Sequence, residues 1–375
     1  MDKITRFLGR LTAFFSFMVM LTACGGAPSD NPNVTAPSSN SGGGTDTEVE
    51  VNDGVINIEF VSASNEQVFL KGQGGVETSV ITFKASDSNG DPLANVAVSF
   101  ELNTTIGGVA LLGETLGKRT GSGGLVAITL TSGTVPTPAR ITATVDGSGE
   151  TAISDDITIS TGVPVIDRFS LGINPDLFVD DAASRNNIEA ELVVIASDQA
   201  GNPAFDGVRV SFWSPESGQV ESNCILVGGQ CTVIWRSAVS LLNNERQVSV
   251  LAYTRGAEPF EDLNANSLYD EGEVYYDFPE MYLDTDGSGS YTIGEPFIDE
   301  DGDQVWDSAG NGLYDGPCPS RAESCSGKDT VVAYASTLFL CYSQEDVDAG
   351  AENIFEIDGE LYNGNPKCGT TPPAL

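Results

Sequence analysis

The chain has 375 residues, 40% of them apolar and 8% aromatic, enough to bury a core in each of two or three small domains. A formal net charge of −37 argues against nucleic acid or an anionic lipid surface as a partner. There is no histidine, which removes Ser-His-Asp and Cys-His catalysis and the commonest zinc ligand.

Residues 1–23 read as an export signal. Lys3, Arg6 and Arg10 form its positive region and residues 11–21 its apolar core, too short for a spanning helix. It ends in Leu21-Thr22-Ala23-Cys24, which resembles the lipobox of bacterial lipoproteins. The resemblance implies that Cys24 is acylated, becomes the first mature residue and anchors the chain in a lipid bilayer. Gly25, where an Asp would mark inner-membrane retention, points to the outer membrane. The linker, residues 24–53, is Gly, Ser, Pro, Asn, Thr and acids, a composition that cannot offset its ordering entropy. As a coil it would reach on the order of 30 Å.

From residue 54 short period-two strands alternate with turn clusters: 80–85, 96–100, 125–130, 140–145 and 157–159. This is the pattern of an antiparallel sandwich over residues 54–162. The text then repeats. Ala85-Ser86-Asp87-Ser88-Asn89-Gly90-Asp91-Pro92 returns as Ala196-Ser197-Asp198-Gln199-Ala200-Gly201-Asn202-Pro203, and Val98-Ser99-Phe100 returns as Val210-Ser211-Phe212. The two copies resemble the group 1 bacterial Ig-like domains of invasin- and intimin-type adhesins. That resemblance implies an all-β chain of tandem Ig-like β-sandwiches with an adhesive role. Those adhesins also carry an outer-membrane β-barrel, which this sequence lacks, so acylated Cys24 would take over the anchoring. Aligning the copies gives a second domain over 163–257 and 329–343, interrupted between its last two strands by residues 258–328.

The interrupting stretch carries the chemistry. Asp284, Asp286, Ser288, Gly289 and Glu295 occupy positions 1, 3, 5, 6 and 12 of a twelve-residue calcium loop, with Ser290 offering its carbonyl at position 7. A hard dication needs six to eight oxygens; alternating short oxygen side chains on a turning backbone supply them, and a bidentate Glu closes the shell. Asp262, Asn264, Asn266, Leu268 (through its carbonyl), Asp270 and Glu273 repeat the pattern, with Ser267 where Gly is usual. A less regular third copy runs Asp299, Asp301, Asp303, Asp307, Asn311 and Asp315, with Gly310 in place of the closing Glu. The expected cofactor is therefore calcium, in two complete loops and a third irregular one. Seventeen acids and no Lys or Arg lie between Gly256 and Ser320, so cation binding would relieve a strong self-repulsion. An aromatic recurs at position 8 of each copy: Tyr269, Tyr291 and Trp306. The loops resemble those of dockerin modules, and the third copy a thrombospondin type 3 repeat. Pro279 and Pro296 leave no room for the dockerin helices, so no cohesin partner is implied.

Six cysteines remain besides Cys24, an even number in an exported chain. The nearest-neighbour set of disulfides is Cys224–Cys231 across the facing strands of one hairpin, Cys318–Cys325 at the end of the insert, and Cys341–Cys368 pinning the tail. Residues 344–375 form an acidic, Gly- and Pro-rich tail with no assignable role. These readings describe a non-enzymatic lipoprotein of the cell envelope, a calcium-stabilised adhesion or assembly module whose partner is an envelope protein or a glycan. One alternative is a carbohydrate- or polymer-binding accessory protein using Tyr275, Tyr276, Tyr282 or Trp306 as stacking faces. A more remote one is a hydrolase using paired carboxylates, though nothing singles out two of the acids.

Overall fold

The computed structural model describes residues 56–214, 218–241, 246–285, 288–318, 323–357 and 360–371. The export signal, Cys24, the linker and Asp286 lie outside the described residues. The first sandwich is built from β1 (Asn57–Ala63), β2 (Gln67–Phe69), β3 (Thr78–Ser86), β4 (Ala97–Leu102), β5 (Ala110–Leu112), β6 (Lys118–Arg119), β7 (Leu125–Thr131), β8 (Thr137–Ala139), β9 (Ile141–Val145), β10 (Thr151–Ile153) and β11 (Ile157–Ser160). The second uses β12 (Phe169–Asn174), β13 (Phe178–Val179), β14 (Glu189–Ala196), β15 (Arg209–Trp213), β16 (Gln219–Val220), β17 (Asn223–Ile225), β18 (Gln230–Arg236), β19 (Gln247–Gly256) and β20 (Thr330–Leu340).

The two are tandem Ig-like sandwiches with matching sheets. One sheet runs β1-β3-β7-β5 in the first and β12-β14-β18-β16 in the second. The facing sheet is β13-β20-β19-β15-β17 in the second; in the first its counterpart is split into β10-β9-β4-β6 and β2-β11-β8. Alternation along the strands makes each core: Ile81, Phe83, Ile128 and Leu130 are fully buried in one, Leu192, Val194, Val233 and Trp235 in the other.

The repeated turn is duplicated bond for bond. Asp87 N–H donates to Asp91 O and Gly90 N–H to Asp87 O; Asp198 N–H donates to Asn202 O and Gly201 N–H to Asp198 O. Behind each turn a glycine lets the backbones touch. A Cβ on Gly124 would lie 2.4 Å from Ala85 O, and one on Gly229 would lie 2.7 Å from Ala196 O.

Cys224 and Cys231 are joined as expected about the Gly228-Gly229 reversal, but their strands do not pair with each other. Cys224 lies on β17, opposite Val210 of β15, and Cys231 on β18, opposite Val194 of β14. Those strands belong to opposite sheets. Gly228 and Gly229, at φ of 59° and 75°, form a two-residue reversal in which Val227 N–H donates to Gln230 O and Gln230 N–H to Val227 O, and beyond this tip the two strands part into different sheets. The bridge staples the two layers.

The described residues of the tail form regular structure. Helix α1 (Gln344–Asp348) is capped by Ser343, whose Oγ accepts from Asp346 N–H, and β21 (Ile354–Ile357) pairs with β22 (Glu360–Asn363). The Cys341–Cys368 bridge and Phe355 pack on Phe339. The Arg246 guanidinium lies 4.6 Å from the Tyr342 ring centroid and 4.9 Å from that of Phe355. Among the described residues no helix is long and apolar enough to cross a membrane.

Strands β9 and β10 are joined by a short turn over residues 146–150, in which Val145 N–H donates to Glu150 O. Strands β19 and β20 pair from Gln247↔Phe339 to Gly256↔Thr330, and the whole of residues 257–329 emerges at that end.

Candidate metal centre

The insert is two copies of one small device. Residues 259–261 pair antiparallel with 274–276: Glu261 N–H donates to Val274 O and Tyr276 N–H to Pro259 O. In the second copy Leu283 N–H donates to Pro296 O and Ile298 N–H to Met281 O. Each three-residue arm carries a Glu before it and an Asp after it, as Glu258/Asp262, Glu273/Asp277, Glu280/Asp284 and Glu295/Asp299. Antiparallel pairing then puts an Asp of one arm beside the Glu of the other at both ends of each ribbon.

At one end the ribbon is closed by its own loop. Asp262 accepts from Asn266 and Ser267 N–H through its two oxygens, at 3.2 and 2.8 Å. Glu273 accepts from Leu263 N–H at 2.8 Å and Asp270 N–H at 3.0 Å. The second loop repeats this. Asp284 accepts from Ser288 and Gly289 N–H, and Glu295 from Thr285 N–H at 2.6 Å and Thr292 N–H at 2.8 Å. Ser267 stands in for the usual Gly at φ of 57°, against 71° at Gly289. Ser290 is exposed and Leu268 buried.

At the other end each ribbon is completed by a segment from further along the chain. Glu280 accepts from Glu300 N–H at 2.6 Å and Asp307 N–H at 3.2 Å, taking the part that Glu273 and Glu295 play in their loops. Oxygens of Glu280, Asp301 and Asp307 converge within 4.8 Å, as do those of Asp299, Asp301 and Asp303. The remaining end belongs to Glu258, which accepts from Phe278 N–H at 3.0 Å and Asp315 N–H at 2.9 Å. Asp277 accepts from Gly312 N–H at 2.8 Å, as Asp284 does from Gly289. Asn311 Nδ2 donates to Asp315, as Asn266 Nδ2 does to Asp270.

The stretch read as one irregular third loop is thus divided. Asp301 and Asp307 converge on Glu280, with Asp299 and Asp303 beside Asp301, whereas Asn311 bonds Asp315, which reaches Glu258, and the neighbouring Gly312 reaches Asp277. Glu258, Asp277 and Glu280 were not among the sequence candidates; the Glu-x-x-x-Asp spacing shared by all four arms is the signal that marks them.

Each half has its own aromatic cluster. Tyr269 stacks on Tyr314 at 4.5 Å between centroids, with Phe260 and Tyr275 edge-on. Tyr291 stacks on Trp306 at 4.4 Å, with Tyr282 and Phe297 edge-on. Trp306 Nε1–H donates to Glu280 O and Tyr275 O–H to Gly312 O, so three of the four candidate stacking faces are engaged in packing, while Tyr276 is exposed. The Cys318–Cys325 bridge packs on the Tyr269–Tyr314 pair.

The donors are carboxylate, amide and hydroxyl oxygens with no imidazole and no free thiol, a set that suits calcium and disfavours softer metals. Burial pushes Glu258 up to about 7, with the charges of Asp277 and Asp315 adding to the rise and two backbone N–H bonds opposing it. Burial also raises Glu300, against the pull of Arg255. A dication at such a site would offset the cost of holding these carboxylates charged.

No known family model and no curated protein matches the chain. Among solved structures it is similar to the D0-D1 domain of intimin, at 15% identity and a TM-score of 0.26, covering 53% of this chain and 91% of that one. It is similar to Yersinia pseudotuberculosis InvD at 14% identity and a TM-score of 0.30, covering 77% and 98%. It is also similar to invasin, described as a bacterial integrin-binding protein, at 16% identity and a TM-score of 0.25; the likeness covers 60% of this chain but 39% of invasin. Scores this low carry no argument by themselves, and the all-β fold rests on the strand pairing above.

Proposed function

We propose that the chain is a non-enzymatic module of the cell envelope, tethered to the outer membrane through acylated Cys24, in which calcium orders the insert for adhesion or assembly. The observation that carries this reading is the fourfold recurrence of one arrangement, an Asp and a Glu from paired arms gathering the amides of a third segment. Two sites are the loops 262–273 and 284–295. A third uses Glu280 with Asp299, Asp301, Asp303 and Asp307, and a fourth Glu258, Asp277, Asn311 and Asp315. Among the described residues of the insert there are no paired helices like those of sensor EF-hands, so the loops order in place and open no groove. Affinity on the order of 10⁻⁴–10⁻³ M, typical of extracellular modules, would keep them filled outside the cell.

Titration calorimetry with calcium tests the reading. Saturable heat at several sites in the millimolar range is expected; no heat in millimolar excess would overturn it. The anchor is tested by Cys24→Ser, which should release the protein from membranes and abolish labelling by a fatty-acid probe. The partner, an envelope protein or glycan, is sought by pull-down from intact envelopes in calcium and in chelator.

A further inference from the structure

The sandwiches are joined by a connector at residues 161–165 that three bodies share. Gly162 N–H donates to Asp198 Oδ2, and Phe205 N–H of the second sandwich donates to Gly162 O. Val165 N–H donates to Ser197 O, while Pro164 O accepts from Ala257 N–H, the residue just before the insert. A Cβ on Gly256 would lie 2.3 Å from Pro164 O, so the base of the insert is pressed onto the connector. Across the joint itself Phe69 meets Phe205 edge-on at 4.7 Å, and Asp206 N–H donates to Gln67 Oε1.

The insert reaches both sandwiches. Met281, Leu283 and Ile298 pack with Leu251, Val331 and Ala333 of the second, and Phe260 O accepts from Gln199 Nε2 of its repeated turn. Leu268 goes the other way. It is only 7% exposed and belongs to the same buried cluster as Val68, Leu70 and Ile159 of the first sandwich. Leu268 is position 7 of the loop 262–273, the residue whose carbonyl such loops give to the cation. Its backbone N–H is held by Asn266 Oδ1, itself a candidate ligand. The atoms that would bind calcium therefore set where this side chain points.

We propose that the insert is a cation-dependent latch between the sandwiches. With calcium bound, loop 262–273 presents Leu268 to the first sandwich while the ribbon arms stay fixed to the second, and the joint is rigid. With calcium removed, the carboxylates of Asp262, Asp270 and Glu273 repel, Leu268 withdraws, and the first sandwich swings on its connector. This rests on the calcium reading above, and the test separates the two.

The experiment places nitroxide-bearing non-natural residues at Ser148 and Ser240 of the full chain, one exposed position in each sandwich. Inter-label distances are measured in calcium and in chelator, with calorimetry on the same samples. Calcium heat together with a distribution that is narrow in calcium and several-fold broader in chelator is the expected result. Leu70→Ala, on the first-sandwich side of the contact and outside the loop, should keep the calcium heat and the strand content by circular dichroism yet give the broad distribution in calcium. Heat with unchanged distances, or a narrow distribution in Leu70→Ala, overturns the latch and leaves the calcium reading standing. Absence of heat overturns both.

Discussion

The two halves of the insert make the same hydrogen bonds in different surroundings. In the outer half, residues 280–307, the completing segment follows directly on the ribbon, Tyr291 and Trp306 are half-buried, and Ile293 at the loop tip is 95% exposed. In the inner half, the ribbon at 258–277 waits for residues 311–315, which return only after the whole outer half has been threaded. Closing over a longer loop costs more chain entropy, by about 0.6 kcal/mol for each doubling of length. The inner half offsets this with burial, Tyr269 and Tyr314 being 2% and 1% exposed, with the Cys318–Cys325 bridge, and with the hydroxyl of Ser326 on Asp315. Local chemistry makes a site; its setting decides whether that site touches the rest of the molecule.

Chelation should have the largest effect, and should fall on both halves. At about 10 mM calcium and the affinities expected, each filled site stabilises by about 1.4–2.7 kcal/mol. An acid-specific protease should cut between residues 258 and 315 in chelator and spare both sandwiches; equal resistance with and without calcium would show that the insert is held by packing alone.

Next in size is Glu258→Gln against Glu280→Gln. Each turns one accepting oxygen into a donor facing an N–H, at a cost of about 1–3 kcal/mol when buried. Glu258 is 1% exposed and Glu280 8%, so denaturation in calcium should show the greater loss at Glu258, and a reversed order would erase the distinction between the halves. Glu295→Gln acts only on the outer loop: one calorimetric site should weaken about tenfold while the others stay put. The smallest effect is expected at Ser267→Gly. A left-handed Ser is strained by about 1 kcal/mol, part of which Gly gives back as unfolded-state entropy. A gain of a few tenths should appear in the thermal midpoint with calcium, and a loss would mean that the Ser267 side chain contributes contacts.

Much of this molecule is local in origin. Period-two alternation, the repeated Asp-x-x-Gly-x-Pro turn and the seven-residue spacing in two of the three cysteine pairs act over a few residues, so the all-β class, the tandem sandwiches and the insert between the last two strands are readable from the text. The loops 262–273 and 284–295 are readable for the same reason, since each keeps its Asp and its Glu within twelve residues. What the text alone could not decide is which distant pieces meet. Glu280 serves Asp307, and Glu258 serves Asp315, because antiparallel arms bring their ends together across a ribbon whose register is fixed by backbone pairing. Cys224 and Cys231 join opposite sheets because their strands part beyond a two-glycine reversal, a choice invisible in cysteine spacing. Leu268 reads as an unremarkable position 7, and only the tertiary fold puts it in the buried cluster of the first sandwich. Residue type determined what each segment can bind or bury; tertiary pairing decided with which partner it does so.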